Sequence, residues 1–175
     1  MKMPLVALLV APGLLSCVPF PSSVETPSIY AQATPSAQSF VGTRYLSGDL
    51  PEGVEELGGW LVGELLDRND YWINQVRQGE QEFLWFNIRP GDQGQQAIFE
   101  VVDVLEMPAI AENENLVSSC ELNEQPDPEL LAIAQYTETE YLTQIRQAWR
   151  ANRTSGQIEP ISPAEIRCYN PAWGV

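Results

Sequence analysis

The chain has 175 residues, nine basic side chains against 24 acidic ones, a formal charge of −15 and no histidine; its single lysine is Lys2. That balance excludes the clustered cationic surface with which proteins neutralise nucleic-acid phosphates, so no nucleic-acid partner is expected. A chain of this length allows one domain of ordinary size plus a tail.

The N-terminal stretch runs from Lys2 through an apolar segment, residues 5–10, and a Pro12-Gly13 break to Leu14-Leu15-Ser16-Cys17. Six apolar residues cannot cross a bilayer, which takes about 20. A cationic start followed by a short apolar run is instead the layout of a removable signal peptide. The tetrad Leu14-Leu15-Ser16-Cys17 resembles the lipobox of bacterial lipoproteins. The resemblance implies cleavage before Cys17, palmitate-type acylation there, and a mature protein held on a membrane of the cell envelope, facing the periplasm. Each buried CH₂ of such a lipid contributes ~0.8 kcal/mol, so three chains anchor a protein essentially permanently. The alternative is ordinary secretion, with Ala31-Gln32-Ala33 as a small-residue cleavage site and a soluble periplasmic product.

Residues 17–38 carry Pro19, Pro21, Pro27 and Pro35 among serines and threonines, with Glu25 as the one charge. Proline fixes φ and removes backbone donors, and no periodic apolar pattern is present to bury. The stretch reads as a tether spanning roughly 25 Å root-mean-square. The domain organisation expected is therefore signal peptide 1–16, tether 17–38 and a single acidic domain 39–175, which holds all five tryptophans.

Within that domain, residues 82–89 and 97–107 are rich in aromatic and β-branched side chains, and Pro90-Gly91-Asp92-Gln93-Gly94 between them reads as a hairpin turn. Residues 71–77 form a third strand, turning at Gln78-Gly79-Glu80, and Pro108 closes the longest strand. Residues 60–66 are ambiguous: Leu57, Leu61 and Leu65 suit a helix, while Gly58, Gly59 and Gly63 favour a strand. Further on, Tyr141, Leu142, Ile145, Ala148 and Trp149 match a helical stripe behind a capping box at Thr137-Glu138-Thr139-Glu140. Asp127-Pro128-Glu129 fits the start of a second, shorter helix. Residues 152–156 read as a turn, and 157–161 and 165–169 as short strands. Together these predict an α+β domain: a small antiparallel sheet or open barrel, one or two helices in the C-terminal third, and one disulfide.

The disulfide follows from counting. Three cysteines leave one over in an exported protein. Lipidation or removal of Cys17 leaves Cys120 and Cys168, in a compartment where bridges persist. A Cys120–Cys168 bridge is expected to contribute about 4 kcal/mol by loop closure and to pin an otherwise loose segment, residues 109–125, to the C-terminal tail. A redox-active pair would need C-x-x-C spacing or a neighbouring lysine or histidine, and neither is present.

Without histidine, Ser-His-Asp and Cys-His nucleophiles are impossible, and without a lysine after Lys2 so are Ser-Lys pairs and Schiff bases. No phosphate-binding glycine loop or nucleophile elbow occurs. No catalytic, cofactor-binding or metal-ligating residue is assigned, and no cofactor is expected. The acids fall into three groups, Glu52/Glu55/Glu56, Glu112/Glu114 and Glu121/Glu124/Asp127/Glu129, read as solvated surface rather than calcium ligands. Asp67-Arg68-Asn69-Asp70 lacks the register and the glycine of a calcium loop. Glu100 and Asp103, three apart on a strand, are placed on opposite faces, each on solvent or beside an arginine such as Arg77 or Arg89. Trp72, Trp85 and Trp149 are assigned to the core. Tyr169 and Trp173 are expected to pack over the bridge, the alternative being an aromatic platform for a sugar or protein.

Finally, the stretch Ala148-Trp149-Arg150-Ala151-Asn152 to Ile166-Arg167-Cys168-Tyr169-Asn170 is similar to the C-terminal part of uncharacterised exported proteins of cyanobacteria. This similarity implies a host and no activity. The function expected is that of an envelope lipoprotein that binds or scaffolds without catalysis, its partners the membrane and an envelope protein or glycan. The alternatives are a carboxylate-dependent glycan hydrolase and a calcium-stabilised adhesion module.

Overall fold

A computed structural model describes residues 36–63 and 71–174. Cys17, the signal segment, nearly all of the tether and the Asp67–Asp70 acids lie outside the described residues. A single 3-10 turn, Ala37–Phe40, precedes β1 (Arg44–Leu46), β2 (Val54–Leu61), β3 (Tyr71–Gln78), β4 (Gln81–Gln93) and β5 (Gln96–Glu106). There follow β6 (Glu114–Val117), β7 (Cys120–Leu122), β8 (Gln125–Pro126) and β9 (Leu130–Gln135). The chain closes with β10 (Tyr141–Leu142), β11 (Ile145–Asn152), β12 (Gln157–Ile161) and β13 (Ile166–Tyr169). Among the described residues no helix is long and apolar enough to cross a membrane.

These strands form three antiparallel sheets: a five-stranded sheet ordered β1-β5-β4-β3-β2, and four-stranded sheets ordered β12-β11-β9-β6 and β10-β13-β7-β8. Their side chains define the stacking. Leu84 and Phe86 of β4 meet Leu131 and Ile133 of β9 and Trp149 of β11 in one core. The opposite face of β9, Leu130, Ala132 and Ala134, packs with Leu142, Ile166 and both bridged cysteines in a second. Phe83 and Trp85, on the far face of β4, pack with Tyr45, Phe99 and Phe40 in a third. The β9 sheet is thus the middle layer. This explains why β9 and the centre of β4 are unbroken apolar runs: a strand covered on both faces has no solvent side to alternate with.

The architecture corrects the expected fold class: the domain is nearly all β, and the C-terminal helices are strands. The predicted helical stripe falls on β10, Tyr141–Leu142, and β11, Ile145–Asn152. In the β11–β9 pairing Ile145 opposes Ala134 and Gln147 opposes Ile133, leaving Arg146 as the extra residue of a bulge. A bulge shifts the two-residue period by one. Ile145 and Ala148 consequently enter the same core although three apart, a spacing that imitates a helix face. Asp127-Pro128-Glu129 uses its capping chemistry in a turn: Asp127 Oδ1 accepts the Glu129 amide at 3.1 Å, and the chain runs on into β9. The 109–125 segment, expected to be pinned by the bridge, contributes β6 and β7, and β7 pairs with β13 at the bridged cysteines.

The β3–β4 and β4–β5 hairpins have the expected pairing. Pro90-Gly91 is not their turn, however. It lies in a second irregularity, where Ile88 faces Glu100 and Gly91 faces Ile98, a position at which the sheet tolerates proline. The reversal comes later, at Gly94 with φ 65°. Trp60 and Leu61 end β2, so the first residues of the ambiguous 60–66 stretch are strand, and residues 64–66 lie outside the described residues. Gly59 is required there by contact: a Cβ would sit 2.9 Å from the Ile73 carbonyl oxygen and 3.2 Å from Asn74 Nδ2.

Candidate functional site

The outermost sheet of the C-terminal half carries the feature that most resembles a site. Its ladder pairs Tyr141 with Tyr169, Leu142 with Cys168, Cys168 with Cys120, and Arg167 with Glu121. Strand alternation sorts these pairs. Leu142, Cys168 and Cys120 point inward to the core, while Tyr141, Tyr169, Arg167 and Glu121 share the outer face. The expected Cys120–Cys168 bridge is present on the inner side, joining directly opposed residues 48 apart in sequence, with both cysteines buried. It fastens β7 to β13 immediately beneath the outward row.

Turn chemistry completes the edge. β7 and β8 are joined by Asn123 and Glu124, at φ 53° and 62°, the paired left-handed conformations of a two-residue hairpin. The Asp127 amide then donates to the Cys120 carbonyl at 3.0 Å and the Tyr169 amide to the Ser119 carbonyl at 2.8 Å. Asn170, buried to 1% exposure, donates from Nδ2 to the Thr137 and Thr139 carbonyls at 2.9 Å each. Its backbone N–H reaches the Glu140 carbonyl at the same distance. This residue ties the loop before β10 to the end of β13 and so fixes Tyr141 against Tyr169.

The result is a groove of about 580 Å³ between this sheet and the end of β2, walled by Trp60, Leu61, Tyr141, Tyr169, Glu121 and Asp127, with Ser118, Ser119 and two prolines completing it. Its volume is typical of small-ligand sites. Tyr141 and Tyr169 meet edge to face with centroids 6.2 Å apart, and the Arg167 guanidinium lies 4.4 Å over the Tyr141 ring. Tyr169 is 43% exposed. The expectation that Tyr169 and Trp173 would cover the bridge is corrected: the bridge faces inward, and Trp173 is 47% exposed. Trp85 and Trp149 are in the core as expected, with Trp72 partly buried against it.

The groove carboxylates are not free. Glu121 binds Arg167 Nε at 2.6 Å, and Arg167 also reaches Glu124 at 3.2 Å. Asp127 binds Arg150 at 2.6 Å, and Glu129 is held by Arg153 at 2.8 Å. The Glu121 hydrogen bond pushes the Arg167 guanidinium further above its ordinary value. Both acids that line the groove, Glu121 and Asp127, are thus paired with arginines. The third acidic group of the sequence, read there as solvated surface, is this interlocked network. The Trp60 indole Nε1–H is buried away from solvent and meets no acceptor among the described residues.

The remaining acids are dispersed. Glu55 pairs with Arg77, and Glu56 accepts from Asn74. Glu114 is bound by Arg146 Nε at 2.7 Å and takes the Ala111 amide at 3.0 Å, which hold its carboxyl below the usual range. Glu52 and Glu112 are exposed. Glu100 binds Arg44 rather than Arg77 or Arg89, at 2.6 Å, and Asp103 accepts the Ile158 amide at 2.7 Å, a bond between layers. Among the described residues no group of three or more acids or cysteines is placed to hold a metal ion. No family model, curated protein or solved structure matches this chain.

Proposed function

We propose that the chain is a lipid-anchored envelope protein whose folded domain binds a ligand without transforming it. The observation that supports non-catalytic binding is the state of the groove carboxylates. An acid–base pair needs a carboxylate free to exchange a proton with substrate, and both Glu121 and Asp127 are held by guanidinium groups at 2.6 Å. Nucleophiles of the histidine- or lysine-activated kinds have no partner in residues 39–175, the sequence holding no histidine and no lysine but Lys2. The polar groups are instead locked in place and set beside aromatic rings, on strands cross-linked from behind, which is the preorganisation that binding rewards.

Support for the anchor is the sequence Leu14-Leu15-Ser16-Cys17 followed by the proline-rich tether, together with a bridge that belongs to an oxidising compartment. Lipid on Cys17 holds the domain at a membrane while the tether leaves the groove free to turn. Metabolic labelling with palmitate tests it. Label enters the wild-type chain and is absent from Cys17→Ala; equal incorporation into both overturns the anchor.

A further inference from the structure

We propose that the groove between Trp60 and the Tyr141–Tyr169 corner recognises a neutral oligosaccharide; this rests on the binding role just described and names its ligand class. Three observations converge. The first is charge. The two acids lining the groove, Glu121 and Asp127, are each paired with a guanidinium, that of Arg167 and that of Arg150. A cationic ligand would have to displace a guanidinium from Glu121 or Asp127, and an anionic ligand finds every one of these arginines already engaged. Neither gains an ion pair.

The second is the backbone. A peptide bound through its backbone needs unpaired amides and carbonyls. The strand beneath the groove, β7, is interior to its sheet, and the Ser119 and Cys120 carbonyls already accept from Tyr169 and Asp127. Recognition falls to side chains. The third is what those side chains offer. Trp60, Tyr141 and the exposed Tyr169 line the groove with aromatic surface, one face of Tyr141 being covered by Arg167, and such surface suits the C–H faces of pyranose rings. Glu121 and Asp127, each clamped in one orientation, retain lone pairs for hydroxyl donors. The Ser118 and Ser119 hydroxyls supply donors to hydroxyl oxygens. Flat apolar faces beside fixed, mutually neutralised polar groups are complementary to a ring that is apolar above and below and hydroxylated at its rim. The volume, about 580 Å³, suits more than one sugar unit.

The test uses the full chain in detergent, with titration calorimetry and tryptophan fluorescence, against chitopentaose, cellopentaose and an immobilised panel of neutral oligosaccharides. Pentalysine and a polyuronate serve as charged comparators. The proposal predicts saturable binding to at least one neutral glycan, unchanged within about twofold between 0.05 and 0.5 M NaCl because no ion pair forms. Tyr169→Ala weakens that binding tenfold or more, whereas Trp173→Ala, equally exposed and outside the groove, leaves it intact. Near-UV circular dichroism confirms that both variants fold. Chitopentaose against cellopentaose separates an amino-sugar glycan from a plain glucan. Binding to none of the neutral glycans overturns the proposal, as does salt-sensitive binding to a charged comparator alone or binding insensitive to Tyr169→Ala. Palmitate incorporation at Cys17 is unaffected by any of these outcomes, so the ligand and the anchor fail separately.

Discussion

Tyr45 sits at 8% exposure with its hydroxyl directed into a polar chain inside the first sheet. It donates to Asn87 Oδ1 at 3.0 Å; Asn87 Nδ2 donates to Asn74 Oδ1 at 3.1 Å, and Asn74 Nδ2 to Glu56. Asn87 is fully buried and also donates to the Trp85 carbonyl at 2.8 Å. Burial, and secondarily the Glu56 charge, push the Tyr45 phenol well above its ordinary value of 10.0. The sign follows from linkage. Below about pH 10 the phenol is protonated in both folded and unfolded chains, and its contribution is complete. Above that, the unfolded tyrosine ionises while the folded one keeps its proton, so stability falls as pH rises. Tyr45→Phe has no such proton to lose. Urea denaturation of the two proteins is expected to show a gap that narrows above pH 10, by at most about 1.4 kcal/mol per pH unit. Below that pH the gap stays constant near the ~1 kcal/mol of a lost hydrogen bond. Parallel curves through pH 12 would contradict the buried chain.

At the scale of elements, the bridge governs one ladder. Cys120 and Cys168 close a separation of 48 residues, and the double variant Cys120→Ala/Cys168→Ala is expected to lose about 4 kcal/mol on the chain-entropy account. A lowered urea midpoint, with the Tyr169-dependent groove affected more than the Trp85 core, is the predicted pattern; unchanged stability would show that the ladder holds without it. This bridge was legible from residue counting, because only two cysteines remained for an oxidising compartment. The β3–β5 hairpins were legible too, since β-branched and aromatic runs with glycine turns are local signals. The C-terminal strands were not, because the Arg146 bulge places Ile145 and Ala148 on one face at helical spacing. The groove was the least legible part. Glu121 meets Arg167 across 46 residues and Asp127 meets Arg150 across 23, pairings that topology creates and no local pattern records. Tyr169 alone carried a signal: an aromatic in a polar tail.

Across the whole molecule, the charge excess has a simple distribution. Every arginine among the described residues is ion-paired, so the surplus of acids is left facing solvent and disfavours close approach to anionic lipid. Under the proposed anchoring, lipid on Cys17 supplies the hold and the proline-rich residues 17–38 the spacer for a body that repels such a surface. The middle β9 layer, buried on both faces, gives that body a rigid centre from which the outer sheet and its groove are displayed. The measurement that bears most directly on this account is the intact mass of the protein isolated from its native membrane. The account predicts a chain beginning at Cys17, carrying a diacylglyceryl group and an amide-linked acyl chain, and two hydrogens lighter than the dithiol form. A chain that begins elsewhere, an unmodified Cys17, or two free thiols at Cys120 and Cys168 would contradict it.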